Sequence, residues 1–580
     1  MQKLNELRLD RNLLDKDFEG YKLSLSPIPV YKEDITEGVE VVEPSEDQYS
    51  FLHQRLFSLH NHLTIDPWNL SAVYFLDVAR KVRRSWIGQS GRLDKTVEVM
   101  EMPLPASSNS GKYNASICFS SPNTCVLSDG AGTLFLVDTS DRSSGDVVPW
   151  KVLYQGQPLG DGTGFSVSDS RISSDHLTKV LSCVVEFIVP STEAPTPNKK
   201  TPGYETTLSW IVISEEINGE WNVQTEAIKG AGPVDYVALE PNGDGLYVIS
   251  EATFRSLTSA EPSKTNGAGI NGNSTAYDFE WLQTFDDITV WIKLEGPEPK
   301  ISGVAVVCEQ NELSLSYEGE LLLKGKLHGT VDPPLTVWNI TSQNKLEVTL
   351  QKLLGGTMWP SFIDGNKVGK EILDPSIVER VNDQLAHLTS DKEEDAGTVL
   401  NALEECDVCE GDSRTLFRFE KGNALCTNKV HLGSQQWLLS TNVDPNKVPA
   451  FCMRNDVDGC IWMPGQPNTI TGEWNVDHIG TLLAFGYVQA SKTNRKFSFT
   501  PPDLSFVSIV DVSGHVIVYR KGVSVNTSLR NRRTGRQLKE IAVQQLVNLH
   551  TNSAILGAAA NDQYVFILCK DALYLLHVVE

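Results

Sequence analysis

Cys406-x-x-Cys409 is the spacing in this chain that most invites chemistry, because two thiolates separated by two residues make half of a tetrahedral zinc site or a redox pair. A zinc site needs a second pair, and Cys426, His431, Cys452 and Cys460 follow without the short spacing that would supply one. Glu404, Glu405, Asp407 and Glu410 surround the two cysteines, and such neighbours raise a thiol pKa and oppose a reactive thiolate. His60-x-His62 puts two imidazoles on one face of a strand with no third ligand nearby in sequence, so it reads as surface or as a satisfied pair in the core. Asp456-Val457-Asp458-Gly459 resembles a calcium loop. Aligned on Gly459, however, Arg454 takes the first ligand position and Gly465 the place of the bidentate glutamate, so a hairpin turn is expected instead. The chain has no Gly-rich phosphate loop, no nucleophile elbow and no His-Glu-x-x-His helix. Neither a cofactor nor a metal is expected, and catalysis is not.

Charge is the next resource. The 580 residues carry 74 acidic against 50 basic side chains, a formal charge of −24, which on average repels phosphate backbones and anionic membranes. Nucleic acid is therefore a disfavoured partner. Two basic runs stand against that average. Arg80-Lys81-Val82-Arg83-Arg84 follows a strand, and Arg530, Arg532, Arg533, Arg536 and Lys539 precede or open an expected amphipathic helix marked by Leu538, Ile541, Ala542 and Leu549. Either run is a solvated face or a dock for an acidic partner. Glu309, Glu312, Glu318 and Glu320 form an acidic group around one expected hairpin, suited to steering a basic surface. Met1–Gly20 is charged, without the apolar stretch of a signal peptide, and no uncharged apolar run approaches the ~20 residues of a membrane helix. An intracellular soluble protein is expected.

The elements that hold these residues are strands. A length prior of roughly 150 residues per domain suggests about four domains, but a repeat absorbs most of the chain. Asp129-Gly130-Ala131-Gly132 precedes TLFLVD, Asn242-Gly243-Asp244-Gly245 precedes LYVI, and Asp458-Gly459 precedes CIWM. Ser513-Gly514 then precedes HVIVY, and Asn561-Asp562-Gln563 precedes YVFIL. Each pairs turn formers with β-branched and aromatic residues. The aromatic strands near Tyr74, Phe135, Tyr247, Trp462, Tyr519 and Phe566 recur at roughly 50–60 residues, or about twice that where one unit is degenerate, the period of propeller blades. The one longer gap, between Tyr247 and Trp462, holds a different region. An all-β fold is expected: a β-propeller of seven blades interrupted by an inserted sandwich.

The insertion is read from closely spaced strands between Tyr277 and Ile363. Ile288, Val290, Ile292 and Leu294 alternate with Thr289, Trp291 and Lys293, so one face is buried. Further short strands are expected at Val304–Cys308, Leu313–Tyr317, Leu321–Leu327, Leu335–Ile340 and Leu346–Leu350. The expected divisions are a propeller portion at 1–257, a Gly/Ser/Asn-rich linker at 258–275, the sandwich at 276–364, a helix and acidic linker at 365–415, and a second propeller portion at 416–580. Asp374 and Pro375 are the helix start signal.

Tyr277-x3-Trp281-x-Gln283, Asp286-Asp287-Ile288-Thr289-Val290, Leu321-x3-Gly325-x-Leu327, Trp338-x-Ile340, Leu346-Glu347-Val348-x-Leu350-x-Lys352 and Trp359-Pro360 carry a resemblance across the whole module. It resembles a CS domain of the NudC type, a p23-like sandwich. The flanks are similar to one branch of the same family at Phe18–Leu25, Arg454–Asp458, Phe485–Lys492 and Asn531–Gln537, so the likeness extends over essentially the full length. The resemblance implies a cytoplasmic and nuclear adaptor or co-chaperone that works with the Hsp90 system on multisubunit or β-propeller clients, with ties to dynein regulation. The rival expectation is a scaffold that binds a trafficking coat or an RNA helicase through the propeller, the CS module serving as spacer or holdase. Trp281, Trp338 and Trp359 are expected to fill the sandwich core. A propeller channel in which His and carboxylate side chains converge would be the one place for an enzyme.

Overall fold

The computed structural model describes residues 7–579 except, in the propeller, 16–17, 104–110, 144–146, 161, 176–177, 192–202, 217–218, 423, 434, 468–473, 525–529, 531–534 and 536–539, and, at the outer limits of the insertion, 257–278 and 372–413. Inside the insertion it leaves out 285–286, 295–302, 319, 342–343, 354–358, 360–361 and 364–369. The expected linker at 258–275, the helix beginning at Asp374 and the Cys406/Cys409 pair lie outside the described residues. The chain divides into two compact units, residues 1–262 with 404–580, and residues 263–403.

The described residues of the first unit form seven sheets of four or five strands, antiparallel except for one short added strand. Blade 1 is Thr64–Ile65, Ala72–Leu76, Lys81–Trp86 and Val97–Glu101; blade 2 is Ser116–Ser121, Thr124–Ser128, Leu134–Asp138 and Lys151–Gly156. Blade 3 is Ser166–Asp175, Thr178–Pro190, Tyr204–Glu215 and Trp221–Gly230, with Arg255–Ser256 added at its edge. Blade 4 is Val234–Leu239, Gly245–Ser250, Arg414–Glu420 and Leu425–Gly433; blade 5 is Trp437–Thr441, Ala450–Asn455, Asp458–Pro464 and Val476–Leu482. Blade 6 is Arg495–Phe499, Phe506–Asp511, His515–Ser524 and Glu540–Asn548. Blade 7 takes Ile555–Ala560, Tyr564–Cys569 and Ala572–His577 from the C-terminus and its outer strand, Val30–Asp34, from near the N-terminus.

Local turn chemistry explains the repeat. In four of the expected turns an Asx side chain accepts backbone N–H groups: Asp129 from Ala131 and Thr133 at 2.8 and 3.0 Å, Asn242 from Asp244 at 3.2 Å, Asp511 from Ser513 and His515 at 2.8 and 2.9 Å, and Asn561 from Gln563 and Tyr564 at 3.0 and 2.7 Å. The side chain thus mimics a backbone turn. Asp456 sits at φ +54 in the turn between the second and third strands of blade 5, where Asn455 and Asp458 are register partners, so the supposed calcium loop is a hairpin. Asp458 accepts from the Ala484 N–H. The degenerate unit of the repeat is blade 3, whose strands run to 13 residues and whose buried aromatic is Trp210.

Successive residues of a blade strand face opposite neighbours, because both faces of each sheet are covered. Val73 and Phe75 pack toward blade 7, whereas Tyr74 and Leu76 pack toward blade 2. Seven apolar clusters join blades 1–2, 2–3, 3–4, 4–5, 5–6, 6–7 and 7–1 in unbroken succession, and that closes the ring. The closing pairs are Val30 with Leu576 through Asp34 with Ala572. Closure removes the free edge that blade 7 would otherwise present. Upstream of the closing strand, Leu7 and Leu14 pack on the blade 4–5 cluster, Tyr21 on the 5–6 cluster and Ile28 on the 6–7 cluster. Lys22–Leu23 runs parallel to Glu540–Asn548.

Glu540–Asn548 corrects the expected amphipathic helix. Val543, Gln545 and Val547 are buried while Leu546 and Asn548 are exposed, a period of two, and the segment pairs with His515–Ser524 on its other side. Of the residues read as helix markers, Ile541 and Leu549 share the phase of the buried positions, Ala542 takes the opposite one, and Leu538 lies outside the described residues.

The second unit holds two sheets, one of five strands and one of three. The first orders Val331–Ile340, Lys345–Lys352, Asp287–Lys293, Phe279–Gln283 and Lys370–Glu371; the second orders Val304–Cys308, Glu312–Tyr317 and Glu320–Lys326. Their facing residues form one core around Trp281, Val290, Leu315, Leu323, Val348 and Trp359. Trp281 and Trp359 are buried as expected, but Trp338 is only half-buried and packs against the edge of that core, since its strand is the outermost of its sheet. The motif residues Gln283, Lys352 and Trp359 form a buried polar knot. The Gln283 side chain donates to the Trp359 carbonyl at 2.8 Å and accepts from the Trp359 N–H at 2.7 Å, while Lys352 Nζ donates to Gln283 at 3.0 Å. The buried ammonium is thereby hydrogen-bonded on the side facing the core.

Candidate functional site

Two surfaces collect polar side chains in ways that packing alone does not require. One is the CS-like sandwich itself. Glu309, Glu312, Glu318 and Glu320 are all exposed, but they do not form one cluster. Glu309 and Glu312 flank the turn at one end of the middle strand, and Glu318 and Glu320 flank the turn at the other, about 20 Å away at ~3.3 Å per residue. Glu312 pairs with Lys324 at 3.6 Å. Both sheets end in a strand bearing exposed apolar side chains, Val307 in one and Leu335 and Val337 in the other. An edge strand with outward apolar groups is a surface suited to protein contact.

The other surface is the propeller channel, which the sequence offered no local signal to find. Before blade 1 the chain forms a helix, Phe51–Ser58, that had not been expected. Ser50 is its N-cap and accepts from the His53 N–H at 3.3 Å; Leu52, Leu56 and Leu59 follow at helical spacing. Helix and following segment lie against the first strands of the blades, where they help enclose two chambers of about 300 and 590 Å³ that share Leu56, Leu59, His60, Glu186, Val234 and Asp235.

A charged clasp fixes the helix. Arg55 of the helix and Arg414 both donate to Asp235, the second through Nε at 2.8 Å, and Arg414 also pairs with Glu251. The Asp235 side chain is only 3% exposed, so this carboxylate depends on its two guanidinium partners. Glu251 follows the second strand of blade 4 and Arg414 opens its third, the two strands between which the insertion falls in sequence. Gly245–Ser250 pairs directly with Arg414–Glu420, Ser250 opposite Thr415, although the whole insertion separates them in sequence.

His60 and His62 meet edge to face with ring centroids 4.6 Å apart and line the smaller chamber. Burial pushes His60 down to about 4, and burial together with its neighbour His60 and with Lys496 pushes His62 down to about 3, so both rings are neutral at pH 7. Their ring hydrogen bonds go to the backbone at Ala115 and Glu40. Glu186 lines both chambers, and burial raises its carboxyl to about 7 despite the opposing charge of Arg55. Histidines and carboxylates therefore do converge in the channel. Among the described residues, however, no hydroxyl, thiol or carboxylate is hydrogen-bonded to either imidazole, and no group of three ligands is disposed for a metal ion. A general base aligned on a nucleophile, which acid–base or covalent catalysis needs, is not among these contacts.

The first basic run is consumed inside the propeller. Arg83 pairs with Asp77 at 2.6 Å, Lys81 with Glu98 at 2.7 Å, Arg80 donates to the Pro103 carbonyl at 2.8 Å, and Arg84 is buried and donates to the Arg142 carbonyl at 3.2 Å. Each of these four side chains thus has a partner within the propeller. In the second run Arg530 is exposed and donates to the Gly535 carbonyl at 3.4 Å; Arg532, Arg533 and Arg536 lie outside the described residues.

Comparison with known proteins places these features in a wider setting. The CS domain family matches residues 277–352. NudC domain-containing protein 1 of Mus musculus is 31% identical over 583 residues, covering 99% of this chain and 98% of the relative. The protein of the same name from Xenopus tropicalis is 31% identical over 588 residues, with the same coverage. Among solved structures, the C-terminal WD40 domain of Sif2 covers 90% of this chain and 97% of its own at 12% identity and a TM-score of 0.28; the propeller fold rests on the seven sheets and their seven interfaces, not on that superposition.

Proposed function

The chain belongs to the family of NudC domain-containing protein 1, and from that premise we propose that it is a non-enzymatic adaptor and co-chaperone acting with an Hsp90-type chaperone on multisubunit or β-propeller clients, in cytoplasm and nucleus. The observation that carries the reading is the way the CS module joins the propeller. In sequence it falls between the second and third strands of blade 4, which still pair directly with each other, so blade and module each keep a complete core. A module joined in this manner adds a binding surface without interrupting the platform. On its surface the exposed glutamates favour a basic partner mainly through the association rate, and the apolar edge strands supply contact area.

Replacing residues 257–412 by a Gly/Ser linker of about ten residues leaves all seven sheets intact and tests the assignment. The expected result of affinity purification from cells is loss of the chaperone with retention of other partners. Unchanged chaperone recovery would remove the module's assigned role. Fluorescence imaging of the tagged chain checks the two compartments. The second reading, a scaffold that engages a trafficking coat or an RNA helicase through the propeller with the CS module as spacer or holdase, is favoured by the two chambers at the channel. It predicts that deletion of the module leaves every partner in place.

A further inference from the structure

The larger chamber has a composition at odds with the rest of the molecule. The protein as a whole carries −24, yet this wall brings together Arg55, Arg414, Arg495 and Lys496 against only Asp235 and Glu186. Arg55 and Arg414 are committed to Asp235. Arg495 and Lys496 are not committed to any carboxylate among the described residues: Arg495 donates to the backbone carbonyls of Gln489 and Lys492 at 3.5 and 3.3 Å, and Lys496 Nζ to that of Ile555 at 2.5 Å. Lys496 is half-buried, a setting that penalises an ammonium whose contacts are a carbonyl and the neighbouring Phe497 ring rather than a carboxylate. Two polar atoms in the same wall, His60 Nε2 and Gln489 Oε1, are buried without a hydrogen-bond partner. The rest of the wall mixes polar residues, Thr206, Gln436, Thr493 and Ser498, with an apolar stretch at Leu52, Leu56 and Trp437, beside which Phe51 and Leu59 are exposed. At about 590 Å³ the space lies within the range of small ligand pockets, ~300–1,000 Å³.

We propose that this chamber is a binding site for an extended peptide carrying a carboxylate beside an apolar side chain, the carboxylate against Lys496 and Arg495 and the apolar group against Leu52, Leu56 and Trp437. Charge complementarity selects the acidic partner, and the apolar wall adds area that a nucleic-acid backbone does not use. The site is independent of the co-chaperone reading, since every residue in it belongs to the propeller unit.

The test is selection of a random dodecapeptide library displayed on phage against the full chain, followed by fluorescence anisotropy of the enriched peptides. Expected are peptides enriched in Asp or Glu next to Leu, Phe or Met. Their affinity should fall roughly ten- to hundredfold in K496M, which keeps the aliphatic stem, and in R495Q, as for loss of a charge-assisted contact. Circular dichroism and melting of the variants establish that they are folded, and Glu→Gln versions of the peptides supply the same test without altering the protein. Peptides without acidic enrichment, or binding indifferent to both variants and to the Gln versions, would overturn the proposal. So would a fluorescent 20-nucleotide oligouridine that binds the chain and competes with the enriched peptides while being lost in the same variants, because that assigns the site to phosphate.

Discussion

Replacing the two channel histidines should change how the protein responds to acid. The folded values of about 4 for His60 and about 3 for His62 lie below the ordinary 6.5. A histidine depressed on folding contributes stability that is present above its unfolded pKa and is lost as pH falls toward the folded value. Between pH 7 and pH 5 an unfolded imidazole takes up most of a proton and the folded one almost none, a loss of about 2 kcal/mol per ring and about 4 kcal/mol for the pair. Glu186 works in the opposite direction. Its folded pKa of about 7 exceeds the ordinary 4.5, so its contribution is fully present below 4.5 and is lost as pH rises through 7. Over the same fall in pH it returns about 2 kcal/mol, leaving a net loss from the three groups of about 2 kcal/mol. Urea unfolding at pH 7 and pH 5 measures these terms as differences, in which groups common to the variants cancel. H60Q/H62Q should reduce the acid-induced loss by about 4 kcal/mol relative to the unaltered chain, and E186Q should deepen it by about 2 kcal/mol. Parallel pH dependence in H60Q/H62Q and the unaltered chain would refute the reasoning, because it would mean that the imidazoles titrate near 6.5 and are not desolvated by the helix and the inner strands.

Other outcomes follow from burial and pairing. In the sandwich, Trp281→Ala should cost about 3–5 kcal/mol and Trp338→Ala clearly less, since Trp281 is 3% exposed while Trp338 is half-buried at the sheet edge; thermal unfolding of the two variants ranks them. Asp235→Ala leaves two guanidinium groups without their shared carboxylate and should cost about 3 kcal/mol, against about 1 kcal/mol for Arg55→Ala, which leaves Asp235 paired with Arg414; a double-mutant cycle by denaturation checks the coupling. A chain lacking residues 1–36 loses the outer strand of blade 7 and bares Ala572–His577 as an edge, so light scattering should show more self-association than in the full chain.

The hairpin units were legible because their causes are local. Asp129, Asn242, Asp511 and Asn561 bond to backbone within a few residues, and the aromatic positions Tyr74, Phe135, Tyr247, Trp462, Tyr519 and Phe566 are buried strand residues whose spacing reports the blade period. The interruption by a sandwich was legible as well, because the buried Ile288, Val290 and Ile292 alternate with the less buried Thr289, Trp291 and Lys293 on a sheet with one buried face. Glu540–Asn548 was misread because its burial depends on strands elsewhere in the chain, and a short apolar run does not reveal its period until those neighbours are in place.

Sequence alone thus determined the strands, their turns and the fact of an inserted module. Tertiary structure decided which distant segments meet. Val30–Asp34 closes the ring against Ala572–His577 at the opposite end of the chain, and Ser250 pairs with Thr415 across the insertion. Arg55, Asp235 and Arg414 meet at the channel, as do His60, Glu186 and Lys496. The physical reason is that turn geometry and alternation act over a few residues and leave their mark in the local sequence. The partner of an edge strand, or the occupant of a channel, is chosen by closure of the whole ring, which buries each sheet on both faces and leaves no local pattern to read.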